Sequence, residues 1–153
     1  MSAPRASEVR GERDDTARTS VWRVSLALED LAAVEVEMCA FLASEGVQGR
    51  AVYVIQLVAE EIVRNLIEHT PPYASEEEAT IELAVAPDVV TIVIEDTRPA
   101  FAPADAPQLD VLAPLDQRRP RGMGLHLVRS LTDDLRYERW GERNRLTAAV
   151  SRG

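Results

Sequence analysis

The sequence predicts an α+β fold, a two-layer sandwich in which helices cover one face of a mixed, mostly antiparallel sheet. Two pairs of strand-like runs, each joined by a short polar turn, are typical of β-hairpins. Two long runs with helical spacing separate a first strand-like segment from the first hairpin. The predicted order is therefore strand, two helices, two strands, a loop, one helix and two strands.

The N-terminal part of the chain contains the first strand and the first helix. Residues 1–19 are charged and rich in Ser and Ala, which predicts a mobile arm before a single domain over residues 20–153. The segment VWRVSLAL (21–28) alternates like a strand. Asp30 then fits the N-cap of a helix from about Leu31 to Ser44, which Gly46 would end.

A second helix is predicted from Arg50 to His69, because Thr70-Pro71-Pro72 stops it. The remaining predicted elements are a hairpin over ATIELAVA (79–86) and VVTIVIED (89–96), a helix over 121–133, and a closing hairpin of LRYERW and NRLTAAVS. Residues 97–120 hold five of the nine prolines and show no periodicity. A loop of that length is typical of a lid, a binding loop or disorder.

Composition excludes several classes of protein. The net charge of −9 argues against a nucleic-acid partner, because an acidic surface repels phosphates. The single cysteine permits no intrachain disulfide, and no apolar run is long enough to span a membrane. The N-terminus also lacks the apolar segment of a secretory signal. A cytoplasmic protein is therefore expected. All 17 basic residues are Arg, which excludes a Walker A lysine and Schiff-base chemistry.

Polar residues recur every fourth position in EEIVRNLIEHT. On a helical projection, Glu61, Asn65 and His69 follow one edge of the apolar arc, while Glu60 and Arg64 point away and can pair. An edge position suits a cleft wall, where a side chain meets both core and ligand. It equally suits ordinary boundary residues, and this helix alone leaves both interpretations open.

Two further segments carry the same ambiguity. Asp96 ends an apolar strand, where a carboxylate either forms a turn or accepts a hydrogen bond from a ligand. Gly122 and Gly124 open the helix RGMGLHLVRS behind a group of arginines. Glycines at a helix N-terminus either cap the helix or let its free N–H groups approach an anion.

Taken together and in this order, these segments resemble the GHKL ATPases, and within them the anti-sigma-factor serine kinases of bacterial partner-switching systems. EEIVRNLIEHT, DTRPAFAP, PLDQRRPRGMGLHLVRSLTDDLRYER and NRLT carry the resemblance, which spans about residues 20–150. It implies a GHKL (Bergerat) ATP-binding fold. The implied cofactors are ATP and Mg²⁺, and the implied activity is phosphorylation of a serine on an anti-anti-sigma (STAS-type) protein.

The resemblance also implies a role for individual residues. Asn65 would hold Mg²⁺ on the ATP phosphates, and Glu61 would act as the catalytic base toward the serine hydroxyl. Asp96 would accept from the adenine amino group, and Thr147 would contact the base. Residues 97–121 would form the ATP lid, and His69 would be structural. The phosphates would be wrapped by the segment Arg121, Gly122, Met123, Gly124 and Leu125.

The sequence departs from the family pattern in the lid. Arg98 stands where the family pattern has a glycine, and Ala102 replaces a common acidic residue. Because an arginine adds bulk where the glycine would let the backbone pass close to the base, altered nucleotide binding is expected. The alternative function is therefore a catalytically weak partner-switching module of the same fold, and a domain without any nucleotide is a further alternative. For the kinase and for the weak partner-switching module, the expected partners are a sigma factor and a STAS protein, with homodimer formation as an option.

Overall fold

The computed structural model describes residues 17–68, 78–97 and 120–152, with the backbone alone for residues 120–125. The elements, in chain order, are β1 (Arg18–Ser25), α1 (Leu28–Ser44), α2 (Arg50–Glu68), β2 (Glu78–Val85), β3 (Val89–Asp96), α3 (Pro120–Leu131), β4 (Asp134–Trp140) and β5 (Arg143–Ser151). The predicted order of strands and helices is confirmed for the described residues.

The five strands form one sheet in the order β1-β2-β3-β5-β4. All four pairings between the described strands are antiparallel, so the sheet is antiparallel rather than mixed. Each strand of the two hairpins lies beside its sequence neighbour, and β5 returns to pair with β3. This topology places the ends of β3 and β5 side by side in the middle of the sheet.

One face of the sheet is buried beneath the helices. On β3, the alternate residues Val90, Ile92, Ile94 and Asp96 are buried, whereas the residues between them are half-buried. Helix α2 lies against β3 and β5, and it contacts α1 on one side and α3 on the other. The helices therefore form the second layer of an α+β sandwich, as the sequence predicts.

The start of α1 differs from its prediction. The N-cap is Ala27, whose side chain makes no capping hydrogen bond, and the helix begins at Leu28. Asp30 lies inside the first turn, where its Oδ2 accepts from the backbone N–H of Ser25 at 2.7 Å and from Ser25 Oγ at 2.9 Å. Asp30 is thus wrongly predicted as the N-cap, because its carboxylate binds the end of β1 instead of the helix N–H groups.

The end of α1 follows its prediction. Gly46 has a φ of 79°, a left-handed conformation that favours glycine. Its N–H donates to Ala43 O at 3.0 Å, and the N–H of Val47 donates to Leu42 O at 2.9 Å. These bonds satisfy the last carbonyl groups of α1 and turn the chain toward α2.

Both hairpins form where the sequence places them. Ala86 N–H donates to Val89 O at 2.9 Å around the turn between β2 and β3. In the closing hairpin, Arg143 pairs with Trp140, so the connection consists of Gly141 and Glu142. It is one residue shorter than the gap of residues 141–143 between the predicted strands LRYERW and NRLTAAVS, and Gly141 supplies a φ of 54°.

Three predictions concern residues at or beyond the ends of the described ranges. Strand β1 begins at Arg18, so residues 18 and 19 belong to the sheet rather than to the predicted arm, whose remaining described residue is Ala17. His69 lies outside the described residues. So do residues 98–119 of the predicted lid, which include Arg98 and Ala102.

Candidate functional site

Helix α2 presents Glu61 and Asn65 one turn apart. Asn65 is 2% exposed and lies among the apolar residues of the inner helix face, whereas Glu61 is half-buried at the edge of that face. On the outer face, Arg64 Nη2 lies 3.1 Å from Glu60 Oε2, which confirms the predicted pair. The edge position of Glu61 is thus confirmed, and Asn65 lies deeper in the core than an edge residue does.

The surroundings of Glu61 favour its neutral form. Burial raises the pKa of the Glu61 carboxyl, and the charge of Glu60 raises it further. The cation of Arg64 opposes both effects, and the charge of Glu68 adds to them. A carboxyl group whose pKa lies above its ordinary value is better matched to accept a proton near neutral pH.

A second acidic side chain, Glu35 of α1, faces the outer edge of α2. Its Oε2 is buried without a hydrogen-bond partner among the described residues. Burial, followed by the charge and hydrogen bond of Glu60, raises the pKa of Glu35 to about 7, while Arg64 lowers it. The Glu35 carboxyl group therefore keeps its proton to a higher pH than an exposed glutamate does.

Asp96 ends β3 on the helix-facing side of the sheet. It is 8% exposed, and its Cα pairs with Ala79 of β2 and with Asn144 of β5. Asn144 Nδ2 donates to Asp96 Oδ1 at 2.8 Å. Asp96 is therefore a buried acceptor in the layer between the sheet and the helices, as a ligand-binding carboxylate requires.

Asn144 was not predicted as a site residue from the sequence, and neither were the two β4 side chains that contact it. Asn144 Oδ1 accepts from Tyr137 Oη and from Arg139 Nη1, each at 2.7 Å. One signal was available, since Asn144 occupies the same alternating positions as Leu146, Ala148 and Val150. A buried Asn at the start of an otherwise apolar strand face indicates a specific hydrogen-bond partner.

The structure does not bring Thr147 together with Asp96. Thr147 pairs with Val93 and with Arg136, three residues along β5 from Asn144. Since side chains alternate between faces, an odd spacing places Thr147 on the face of the sheet away from the helices. On the helix-facing side, Asn144 rather than Thr147 lies beside Asp96.

The glycine segment forms the first turns of α3, which begins at Pro120 and packs against α2. Arg121, Gly122, Met123, Gly124 and Leu125 are all helical, so the backbone N–H groups of the first turn lack partners within the helix. Pro120 starts the helix with a fixed φ and no N–H group of its own. These features suit the predicted contact with phosphates.

The donor chemistry of the site fits a magnesium ion bound through phosphates. No group of three or more His, Cys, Asp or Glu side chains in the described parts of the chain could hold a metal ion by itself. Mg²⁺ is ordinarily held by one or two protein oxygens together with substrate phosphates and water. The amide oxygen of Asn65, with Glu61 one turn away, meets that requirement.

A comparison with protein-family models covers most of the chain. A family model described as a histidine kinase-like ATPase domain matches residues 24–150. No curated protein matches the chain significantly. No helix in the described ranges is long and apolar enough to cross a membrane.

The matched range contains every site residue predicted from the sequence, from Glu61 on α2 to Thr147 on β5. Within it lie the antiparallel sheet, the buried Asn65 of α2 and the buried Asp96 at the end of β3, and the family implies ATP binding. The chain therefore belongs to the histidine kinase-like ATPase domain family.

Proposed function

We propose that this protein is an ATP-dependent serine kinase of a partner-switching system. It phosphorylates a serine on an anti-anti-sigma (STAS-type) protein and, when not so engaged, sequesters a sigma factor. The single observation that carries the proposal is the placement of Glu61 and Asn65. They lie one turn apart on α2, one at the edge and one within the buried face, in a domain of an ATP-binding family.

Glu61 acts on the hydroxyl group of the substrate serine. Its carboxylate accepts the hydroxyl proton while the serine oxygen attacks the γ-phosphorus of ATP, and the bond from phosphorus to the ADP oxygen breaks. The environment that raises the pKa of Glu61 supports this role, because a stronger base takes the proton more readily. Its half-buried position leaves the carboxylate within reach of a bound protein.

Asn65 and the start of α3 hold the phosphates. The Asn65 amide oxygen is the proposed Mg²⁺ ligand, and the metal supplies charge neutralisation on the phosphate oxygens. The helical segment from Arg121 to Leu125 offers N–H groups and the positive end of the helix dipole. Asp96 accepts from the exocyclic amino group of adenine, and its burial removes competing water.

One observation favours a second candidate function. Arg98 follows Asp96 by two residues, at the place where the family pattern has a glycine. An arginine in place of this glycine favours a module that still exchanges protein partners but binds nucleotide weakly. In that case transfer of phosphate would be slow, and regulation would depend on protein binding alone.

Phosphotransfer from labelled ATP to purified STAS proteins tests the kinase proposal. Glu61→Gln should abolish transfer while ATP binding survives, because it removes the base and leaves the phosphate ligands. Asn65→Ala should lose Mg²⁺-dependent ATP binding as well. Glu29→Gln, which neutralises an exposed acid on α1, is the matched control and should retain transfer.

Calorimetric titration with ATP at millimolar Mg²⁺ separates the two candidates. The kinase proposal requires saturable binding by the unaltered protein and transfer to a STAS protein. Absence of ATP binding would overturn it and leave the partner-exchange module. If Arg98→Gly then restored binding, the arginine would be identified as the cause.

A further inference from the structure

A connected set of polar side chains from two neighbouring strands lies beside the carboxylate of Asp96. Asn144 donates to Asp96 at 2.8 Å, and it accepts from Tyr137 and Arg139 at 2.7 Å each. Asn144 is only 4% exposed, so these contacts take the place of contacts with water. We call Tyr137, Arg139 and Asn144 the support network.

The support network fixes the direction of the Asn144 amide. Arg139 can only donate, so the atom that faces it must be the amide oxygen. The nitrogen then faces Asp96 and donates to it. A flipped amide would set N–H against N–H at Arg139 and oxygen against the carboxylate at Asp96. Asn144 is thus held as a donor toward Asp96.

The register of the sheet makes this arrangement rigid. Asn144 of β5 pairs directly with Asp96 of β3 on one side and with Arg139 of β4 on the other. Tyr137 lies two residues before Arg139 and reaches the same amide oxygen from the same face. Each hydrogen bond in such a chain polarises the next, which strengthens the contact to Asp96.

We propose that Tyr137, Arg139 and Asn144 are positioning residues that hold Asp96 as an oriented acceptor and make the site prefer a 6-amino purine nucleotide over a 6-oxo one. The inference rests on the proposed function, in which Asp96 accepts from the exocyclic amino group of the base. A 6-oxo purine places an oxygen there, so two acceptors face each other. A carboxylate held in place cannot turn away from that repulsion.

Calorimetric affinities of the full chain for MgATP and for MgITP, whose base carries oxygen at position 6, test the proposal. The unaltered protein should prefer MgATP by about tenfold to a hundredfold, as expected for one lost hydrogen bond and an unpaired buried acceptor. Asn144→Leu and Arg139→Met should reduce that preference to less than about threefold, because Asp96 then loses the oriented donor that sets its direction. Tyr137→Phe removes a single hydroxyl and should give an intermediate preference.

A matched control lies on the same strand. Arg136 also belongs to β4, but it points to the other face of the sheet, is exposed, and pairs with Asp134 at 3.0 Å. Arg136→Met should leave the ratio of the MgATP and MgITP affinities unchanged. Thermal melting followed by circular dichroism identifies the variants that fold. If Asn144→Leu does not fold, the ratio of the MgATP and MgITP affinities of Tyr137→Phe decides the test.

Changing Asp96 itself gives a second test. With the support network intact, Asp96→Asn should direct its oxygen to Asn144 and its N–H to the base, so the preference should invert toward MgITP. In the double variant Asp96→Asn, Asn144→Leu the donor that orients this amide is gone, and the inversion should disappear. An inversion of equal size in both variants would overturn the proposal.

Two further results would count against it. If the unaltered protein binds MgATP and its preference is unchanged in Tyr137→Phe and in every folded variant of the network, the network does not set selectivity and the proposed function stands alone. If the unaltered protein binds neither nucleotide, the proposed function fails, and the selectivity proposal fails with it.

Discussion

Glu35 offers a direct test of the electrostatics beside the proposed base. Burial first, and then Glu60, raise the pKa of the Glu35 carboxyl from 4.5 to about 7. The folded protein therefore binds a proton that the unfolded chain releases between these pH values. The stabilising contribution is complete below about pH 4.5 and is lost as the pH rises through about 7.

The size of this loss follows from the partial exposure of the pair. A side chain that remains half-exposed is screened by water, which limits the change to roughly 1 kcal/mol of unfolding free energy. Glu35→Gln cannot ionise, and its amide donates a hydrogen bond to Glu60 at every pH. Between pH 5 and pH 8 the variant should therefore lose about 1 kcal/mol less stability than the unaltered protein.

Urea unfolding at pH 5, 6, 7 and 8 measures this difference, because the titrations of all other groups occur in both proteins and largely cancel. Glu142→Gln, which neutralises an exposed acid in the last turn, controls for the change in net charge. It should follow the pH dependence of the unaltered protein. Parallel stability curves for Glu35→Gln and the unaltered protein would refute the raised pKa of Glu35.

Two further predictions concern the end of α1 and the outer face of α2. Gly46→Ala should destabilise the protein by about 1–2 kcal/mol in urea unfolding, because φ is 79° and only glycine adopts it without strain. An added Cβ would approach only the end of Arg152, at 3.5 Å, so an unchanged stability would contradict the backbone argument. Arg64→Ala should cost only about 0.3–0.5 kcal/mol, since the pair with Glu60 is exposed. Removing that cation should raise the pKa of Glu61, so the acid side of the pH–rate profile for phosphotransfer should move to higher pH. An unchanged pH–rate profile would show that ionisation of Glu61 does not control the rate of phosphotransfer.

Much of the fold could be predicted from the sequence because its signals are local. The alternation in ATIELAVA and VVTIVIED predicts which residues face the core. Gly46 supplies the positive φ that the chain adopts at the end of α1. Local signals fail where a side chain binds a partner outside its own helix or strand. Asp30 has the composition of an N-cap, but it binds Ser25, a contact that depends on where β1 ends.

The sequence by itself predicted the elements in their order, and it led to the hypothesis that Glu61 and Asn65 of α2 are a base and a metal ligand. Only the tertiary structure decided which residue of β5 lies beside Asp96, because that contact joins positions 48 residues apart. The register of β3 against β5 sets it, and no local pattern encodes a register between distant strands. Thr147 and Asn144 are three residues apart, so the alternation of side chains puts them on opposite faces of the sheet.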